Sequence, residues 1–192
     1  MTKKDIRNGI IVGFLVGLLA LPILKNLDIS LGYFLLLPII MLILAVIGLY
    51  VAQWLSKYIK FMFELAKFVM VGALNAFIDL GILGLLLWMS GSEGILYYAI
   101  FKFISFTFHA INSYFWNKYW TFKKQGRPQG KEFGKFYLAA GVGALINVGI
   151  ATSLVKFIGG SNLLISVIFP LIGILIAAVW DYLAYKFFIF KK

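Results

Sequence analysis

The sequence contains no cysteine, a single histidine and only seven acidic residues among 192. The absence of cysteine excludes disulfide bonds and thiolate metal sites. The few carboxylates show no metal-ligand spacing, no nucleophile is paired with a base, and no glycine-rich phosphate loop is present. We therefore expect neither a cofactor nor a metal, and we do not expect an enzyme.

Hydrophobic residues are abundant instead, at 62% of the chain against 13% charged. This composition is typical of membrane proteins and not of soluble domains. Apolar runs of spanning length predict an all-α membrane protein with six transmembrane helices, at about 8–24, 31–55, 66–89, 96–117, 136–157 and 163–185. The first run lacks a good cleavage site and is expected to be a retained anchor.

The first two runs predict an N-terminal hairpin domain over residues 1–61, closed by a short loop at 25–30. Pro38 lies inside the second run, where we expect it to kink the helix. The other four runs predict a separate transmembrane domain over residues 62–192.

The positive charges indicate the topology. Fifteen of the 18 Lys and Arg residues fall on one side of the predicted spans, which places both termini in the cytoplasm of a multi-pass cytoplasmic-membrane protein. The net charge of +11 does not indicate nucleic-acid binding, because the basic residues flank apolar spans, as contacts to anionic lipids do.

An internal repeat divides the second predicted domain. Lys67-Phe68 recurs as Lys135-Phe136, and the segment 118–123 recurs as 186–191, each at an offset of 68 residues. Each half contains two spans, so the two copies cross the membrane in the same direction and form a parallel repeat. The loop between them, 123–132, is predicted to be mobile because it contains two glycines and a proline.

Polar residues at helical spacing run along the third and fourth spans. The third span presents Asn75 and Asp79 on one face, and the fourth presents a stripe that comprises Lys102, Ser105, His109, Asn112 and Trp116. Immersing a charge costs about 2.5–3.5 kcal/mol on insertion scales, so each needs a partner or a role. At ~1.5 Å per residue, Asp79 lies at a depth between His109 and Lys102 and can pair with either. The alternatives are a structural ion pair and helix-packing asparagines.

The fifth and sixth spans carry shorter polar faces. Asn147 lies on a face with Gly143, and Asp181 on a face with Gly173 and Ala177. We expect these faces to meet the others around one polar path, although Asn147 can equally be packing glue between helices.

An interfacial segment, NSYFWNKYWTFKK at 112–124, joins the apolar fourth span to the basic loop. Such a segment is suited to hold an anionic lipid headgroup at the water interface. The alternative is a helix end with an aromatic belt formed by Trp116, Tyr119 and Trp120.

Taken together, the motifs Lys67-Phe68-x-x-Val71-Gly72-x-x-Asn75-x-x-x-Asp79 and Asn117-Lys118-x-Trp120-Thr121-Phe122 resemble those of the GtrA-like family. A weaker second copy contains Trp180-Asp181-Tyr182 and Lys186-Phe187-Phe188-Ile189-Phe190, so the resemblance covers about residues 62–192. It implies a four-span domain that handles polyprenyl-phosphate-linked sugars, and that also occurs fused to polyprenyl-phosphate glycosyltransferases. By position it points to Asn75, Asp79, Asn117, Lys118, Trp120 and Asn147.

The resemblance leads to the hypothesis of a flippase for a polyprenyl-phosphate-linked sugar. Cationic side chains would capture the phosphate, namely Lys118, Lys123, Lys124 and Lys186. Polar groups inside the bundle would bind the sugar in transit, namely Asn75, Asp79, His109, Asn112 and Asn147, with Lys102 receiving the phosphate on the far side. Asp181 is also expected among the substrate-binding residues. The alternative is a membrane module that binds the lipid-linked sugar and recruits a glycosyltransferase without transport. An exporter of small cations is less favoured, because the basic face and Lys102 repel such substrates. A homo-oligomer is compatible with the narrow four-helix plan.

Overall fold

A computed structural model shows an all-α membrane protein, as predicted. It describes residues 1–25, 36–91, 94–159, 161 and 164–191. The six long helices are α1 (Lys3–Lys25), α2 (Leu37–Leu55), α3 (Met62–Ser90), α4 (Ile95–Trp116), α5 (Gly130–Ile158) and α6 (Phe169–Ala184). Within the described ranges, five segments are long and apolar enough to cross a membrane: α2, α3, α5, and α4 and α6 together with the turns that follow them.

Pro38 does not kink its helix, contrary to our expectation. The described part of α2 begins at Leu37, and Pro38 occupies the first turn. A proline there removes only an N–H that has no partner inside the helix, so the helix continues undisturbed. The predicted hairpin loop at 25–30 lies, apart from its first residue, outside the described residues.

Short π-helical turns extend two of the spans. One covers Asn117–Thr121 directly after α4, and another covers Tyr185–Ile189 directly after α6. Each is closed by an i→i+5 hydrogen bond, from the N–H of Phe122 to the carbonyl of Asn117 (2.9 Å) and from the N–H of Phe190 to the carbonyl of Tyr185 (2.7 Å). The two turns are offset by 68 residues, so the sequence repeat corresponds to a repeated local structure. A further π-helical turn, Leu164–Ile168, precedes α6.

The chain divides into two compact units, residues 1–123 and 124–192. The first unit contains α1 to α4 and the first π-helical turn. Its core joins the predicted hairpin to the following helices through contacts among Val12, Val16, Leu49, Val71, Leu74 and Trp120. The domain boundary predicted after residue 61 thus falls inside this unit. Where the predicted transmembrane domain begins stays a prediction.

Glycines bring α1 and α2 into close contact. A Cβ atom on Gly13 would lie 2.6 Å from the Cβ of Ala45 and 2.7 Å from the carbonyl oxygen of Met41. A Cβ on Gly17 would lie 2.5 Å from the Cα of Pro38. Because membrane helices associate mainly through close packing, this small-residue face holds the hairpin together.

The second unit pairs α5 with α6 in the same manner. Gly143 faces the side chain of Asp181, and a Cβ on Gly173 would lie 2.6 Å from the backbone and side-chain oxygens of Asn147. Next to the second π-helical turn, the ring of Phe136 lies 4.3 Å from that of Tyr185, centroid to centroid. The polar faces predicted for the fifth and sixth spans therefore face each other.

Candidate functional site

An ionic cluster lies between α3 and α4, in the position that the depth estimate indicated. Asp79 of α3 pairs with the ammonium group of Lys102 and accepts a 2.7 Å hydrogen bond from the hydroxyl of Ser105. The Nδ1 of His109 lies 3.7 Å from the same carboxylate. Lys102, Ser105 and His109 occupy one face of α4, which is why a single carboxylate reaches all three. We call these four residues the ionic cluster.

An amide pair continues this polar line along the same two helices. The side-chain N–H of Asn112 donates to the side-chain oxygen of Asn75 over 2.7 Å. Asn75 is buried, and the pair satisfies one donor and one acceptor that would otherwise be costly at this depth. The polar line thus runs from Lys102 to Asn112 on α4, with Asp79 and Asn75 opposite on α3.

The first π-helical turn encloses a buried lysine. Lys118 is 1% exposed, and its ammonium group lies 3.3 Å from the hydroxyl of Tyr114 and 5.7 Å from the ring centre of Tyr119. Asn117 is also buried and donates to the carbonyl (3.0 Å) and hydroxyl (3.1 Å) of Ser113. The two residues predicted to hold a headgroup are therefore packed into the end of α4.

A second buried lysine, Lys67, binds the end of that turn. Its ammonium group donates to the carbonyls of Trp120 (2.9 Å) and Thr121 (3.3 Å) and lies 3.9 Å from the carboxylate of Asp5 on α1. A cation is favourable at a helix C-terminus, where carbonyls lack intrahelical donors and the dipole is negative. Asp5, Lys67 and Trp120 meet at one end of the first unit, where Lys118 and Lys123 also lie. We call this end the basic end.

Asp5 is ionised in this arrangement. Burial alone would raise the pKa of its carboxyl, but hydrogen bonds from the N–H and hydroxyl of Thr2, together with the charges of Lys67 and Lys123, outweigh it. The pKa of Asp5 is consequently below the ordinary value of 3.8. The hairpin therefore contributes the anion that compensates the buried lysine of α3.

The second unit repeats part of this arrangement. The ammonium group of Lys186 lies 2.9 Å from the hydroxyl of Tyr182, as Lys118 lies beside Tyr114. Both pairs are four residues apart, and corresponding members are offset by 68 residues. Lys186 is less buried than Lys118, and it lies in the second π-helical turn, directly after α6.

The structure thus groups the predicted residues in three places. Asn75, Asp79, Lys102, His109 and Asn112 form the polar line between α3 and α4. Asn117, Lys118 and Trp120 belong to the first π-helical turn, and Asn147, Asp181 and Lys186 lie in the second unit. That any of them binds a substrate stays a prediction.

Sequence reasoning missed several polar contacts. The roles of Asp5 and Lys67 depend on neighbours far away in the chain, and no local pattern indicates them. The tyrosine partners were accessible to prediction, because a Tyr-x-x-x-Lys spacing occurs in both copies, at Tyr114 and Tyr182.

The helices and the polar line define the class of this molecule: it is a multi-pass membrane protein with charges inside its bundle. The chain belongs to the family described as "GtrA/DPMS, transmembrane domain", whose model matches residues 67–190. The resemblance to the GtrA-like family is confirmed, and the family is associated with polyprenyl-phosphate sugars. Helices α1 and α2 lie outside the matched residues. Neither the curated proteins nor the solved structures include a significant match.

Proposed function

We propose that this protein moves a polyprenyl-phosphate-linked sugar across the cytoplasmic membrane, for use in cell-surface polysaccharides, with both termini in the cytoplasm. Family membership supports a role with such lipids. The observation that carries the proposal is the polar line between α3 and α4, which places an ion pair and an amide pair inside an otherwise apolar bundle.

The ionic cluster suits a transient phosphate site. The side chain of Lys102 is 43% exposed, whereas that of Asp79 is 14% exposed, so the cation remains accessible while it is paired. A lipid phosphate that reaches Lys102 can replace the carboxylate, since both are anions that accept charge-assisted hydrogen bonds. Between transport cycles, the carboxylate of Asp79 would neutralise the charge of Lys102, whereas an isolated charge inside the membrane would have no such partner.

The amide pair suits a neutral, hydroxyl-rich headgroup. Asn75 and Asn112 each offer donors and acceptors, and their mutual hydrogen bond can be exchanged for bonds to sugar hydroxyls at little net cost. Lys118 is too buried for direct capture in this conformation, so its role would be to make the potential at the basic end positive. Exposed cations such as Lys123 would make the first contact with the phosphate.

The test is reconstitution into proteoliposomes with a short-chain polyprenyl-phosphate sugar that carries a fluorophore. Outward movement is read as the fraction of fluorophore accessible to a membrane-impermeant quencher over time. Lys102→Met and Asp79→Asn should each lower the rate at least tenfold. Lys156→Met is the matched control, because Lys156 is an exposed lysine in the second unit, and it should transport like the wild type.

Normal rates in both Lys102→Met and Asp79→Asn would refute the transport site. A wild-type protein that binds the lipid-linked sugar but moves none of it would instead support the second hypothesis, a module that recruits a glycosyltransferase. Co-purification of the full chain with such an enzyme would then be the next measurement.

A further inference from the structure

A groove of about 430 Å³ lies on the first unit between α1 and the end of α4. One wall consists of apolar and aromatic side chains from α4 and the π-helical turn, namely Phe108, Ile111, Phe115, Trp116, Tyr119 and Trp120. The polar residues that line it are Lys4 and Asn8 from α1 and Asn112 from α4. Two of these three come from the hairpin, which lies outside the residues matched by the family.

The polar part of the groove carries hydrogen-bond donors. Asn8 lines the groove and is 8% exposed, and an asparagine amide has two N–H donors. The indole N–H of Trp120 is buried, and no acceptor for it is found among the described residues. Lys4 adds a positive charge, and none of the described side chains that line the groove is acidic. A buried donor without an acceptor is costly, and Lys4 is cationic, so an occupant that supplies acceptor oxygens and negative charge fits this part of the groove.

The apolar wall specifies the rest of the occupant. Phe108, Ile111 and Phe115 follow one another along one face of α4, and from Phe108 to Tyr119 the wall extends about 16 Å at ~1.5 Å per residue. An extended apolar chain fits such a wall, whereas a free phosphate or a sugar leaves it unfilled. The combination of donors at one end and a long apolar wall selects an anionic headgroup attached to a hydrocarbon chain.

We propose that this groove is the cytoplasmic docking site for the phosphate and the first isoprene units of the polyprenyl-phosphate lipid, with Lys4 and Asn8 of the hairpin binding the phosphate. The assignment rests on the proposed function and adds two residues of the hairpin, outside the matched residues, to the binding surface. Asn112 connects this groove to the polar line, because it lines the groove and donates to Asn75. A headgroup bound here therefore lies beside the first polar pair inside the bundle.

The contacts at the basic end hold the hairpin in position. Asp5 lies between Lys4 and Asn8 in the sequence and is held against Lys67, which in turn binds the carbonyl of Trp120. The same contacts thus hold α1 against the π-helical turn that contains Trp120. This makes the hairpin a part of the binding surface and gives it a function beyond membrane anchoring.

The first experiment measures binding of farnesyl phosphate to the full chain in nanodiscs of neutral lipid. Lys4→Met and Asn8→Leu should each weaken binding about tenfold, the effect of one lost hydrogen bond to a charged group. Lys3→Met is the matched control, because Lys3 is an adjacent exposed lysine that does not line the groove, and it should bind like the wild type. Equal affinities for Lys3→Met and Lys4→Met would overturn the assignment.

The absence of native cysteine allows a second experiment that does not depend on affinity. A single Ile111→Cys variant should be alkylated by a maleimide and protected by farnesyl phosphate, but not by farnesol at the same concentration. Phe103→Cys, on an exposed part of α4 outside the groove, should be alkylated equally with or without the ligand. Absence of protection at Ile111→Cys would overturn the proposal. Equal protection by phosphatidylglycerol would also overturn it, because the groove would then be a site for bulk anionic lipid.

The two proposals fail in different ways. If the wild type moves no lipid-linked sugar but binds farnesyl phosphate through Lys4, the transport proposal is wrong and the groove stands. If transport occurs and Lys4→Met binds and transports normally, the groove is wrong and transport stands.

Discussion

Removal of the Lys67 ammonium should destabilise the protein more than any other single charge deletion at the basic end. Lys67 is 2% exposed and donates to two carbonyls of the π-helical turn, and it lies 3.9 Å from the equally buried carboxylate of Asp5. Lys67→Met keeps the length of the side chain but leaves two carbonyls without this donor. The buried carboxylate of Asp5 then keeps the half-exposed Lys123, 3.7 Å away, as its cationic neighbour. Loss of one partner of a buried pair costs about 3–5 kcal/mol in unfolding free energy.

Asp5→Asn should cost less, about 1–3 kcal/mol, because Lys67 keeps both carbonyl contacts and an amide oxygen can still accept from Thr2. The double variant should cost less than the sum of the two, with an interaction energy of about 0.5–3 kcal/mol, since neither charge is then left unpaired. Lys60→Met, an exposed lysine just before α3, is the control and should change stability by no more than about 0.5 kcal/mol.

The assay is unfolding in mixed micelles by titration with sodium dodecyl sulfate, followed by circular dichroism. If Lys67→Met unfolds at the same detergent fraction as Lys60→Met, or if the effects of Lys67→Met and Asp5→Asn are additive, then the ionic contact between the hairpin and α3 does not stabilise the protein.

Three further predictions concern packing, pH and the amide pair. Gly13→Ala should destabilise by about 1–3 kcal/mol in the same assay, because its Cβ would meet Ala45, whereas Gly48→Ala on an open face of α2 should be neutral or stabilising. Because the pKa of Asp5 in the folded protein lies below 3.8, the ionised carboxylate stabilises the fold fully above pH 3.8, and this stabilisation is lost as the pH falls through the lowered pKa. Below pH 3.8 the wild type should therefore lose stability faster than Asp5→Asn. Asn112→Leu should cost about 1–3 kcal/mol by leaving the oxygen of Asn75 without its donor, and an added Asn75→Leu should restore part of that loss.

Much of the architecture was predictable, because membrane spans depend on composition over long windows. Depths counted along ideal helices placed Asp79 between His109 and Lys102 and left the choice of partner open; in the structure Asp79 pairs with Lys102, and His109 lies 3.7 Å away. The 68-residue repeat in the sequence indicated that the segments of the two π-helical turns are equivalent. Depth along a straight helix can be counted without tertiary information, which is why this part of the site could be predicted from the sequence.

The π-helical conformation itself was not predictable. A widened turn frees carbonyls, and whether that is tolerated depends on a donor elsewhere in the chain, here Lys67, which is 53 residues from Trp120. The groove could not be predicted from the sequence for the same reason, since it combines residues of α1 with residues of α4. By contrast, the four-residue spacing of Gly9, Gly13 and Gly17 was present in the sequence and could have predicted the tight face of the hairpin.

The hairpin is attached by two kinds of contact that respond to different changes. Its glycine face against α2 is apolar and should be indifferent to ionic strength, but it does not tolerate even one additional methyl group. The link through Asp5 is ionic and depends on the carboxylate being deprotonated. Acidification can therefore loosen the beginning of α1 from the rest of the first unit while α1 and α2 remain joined.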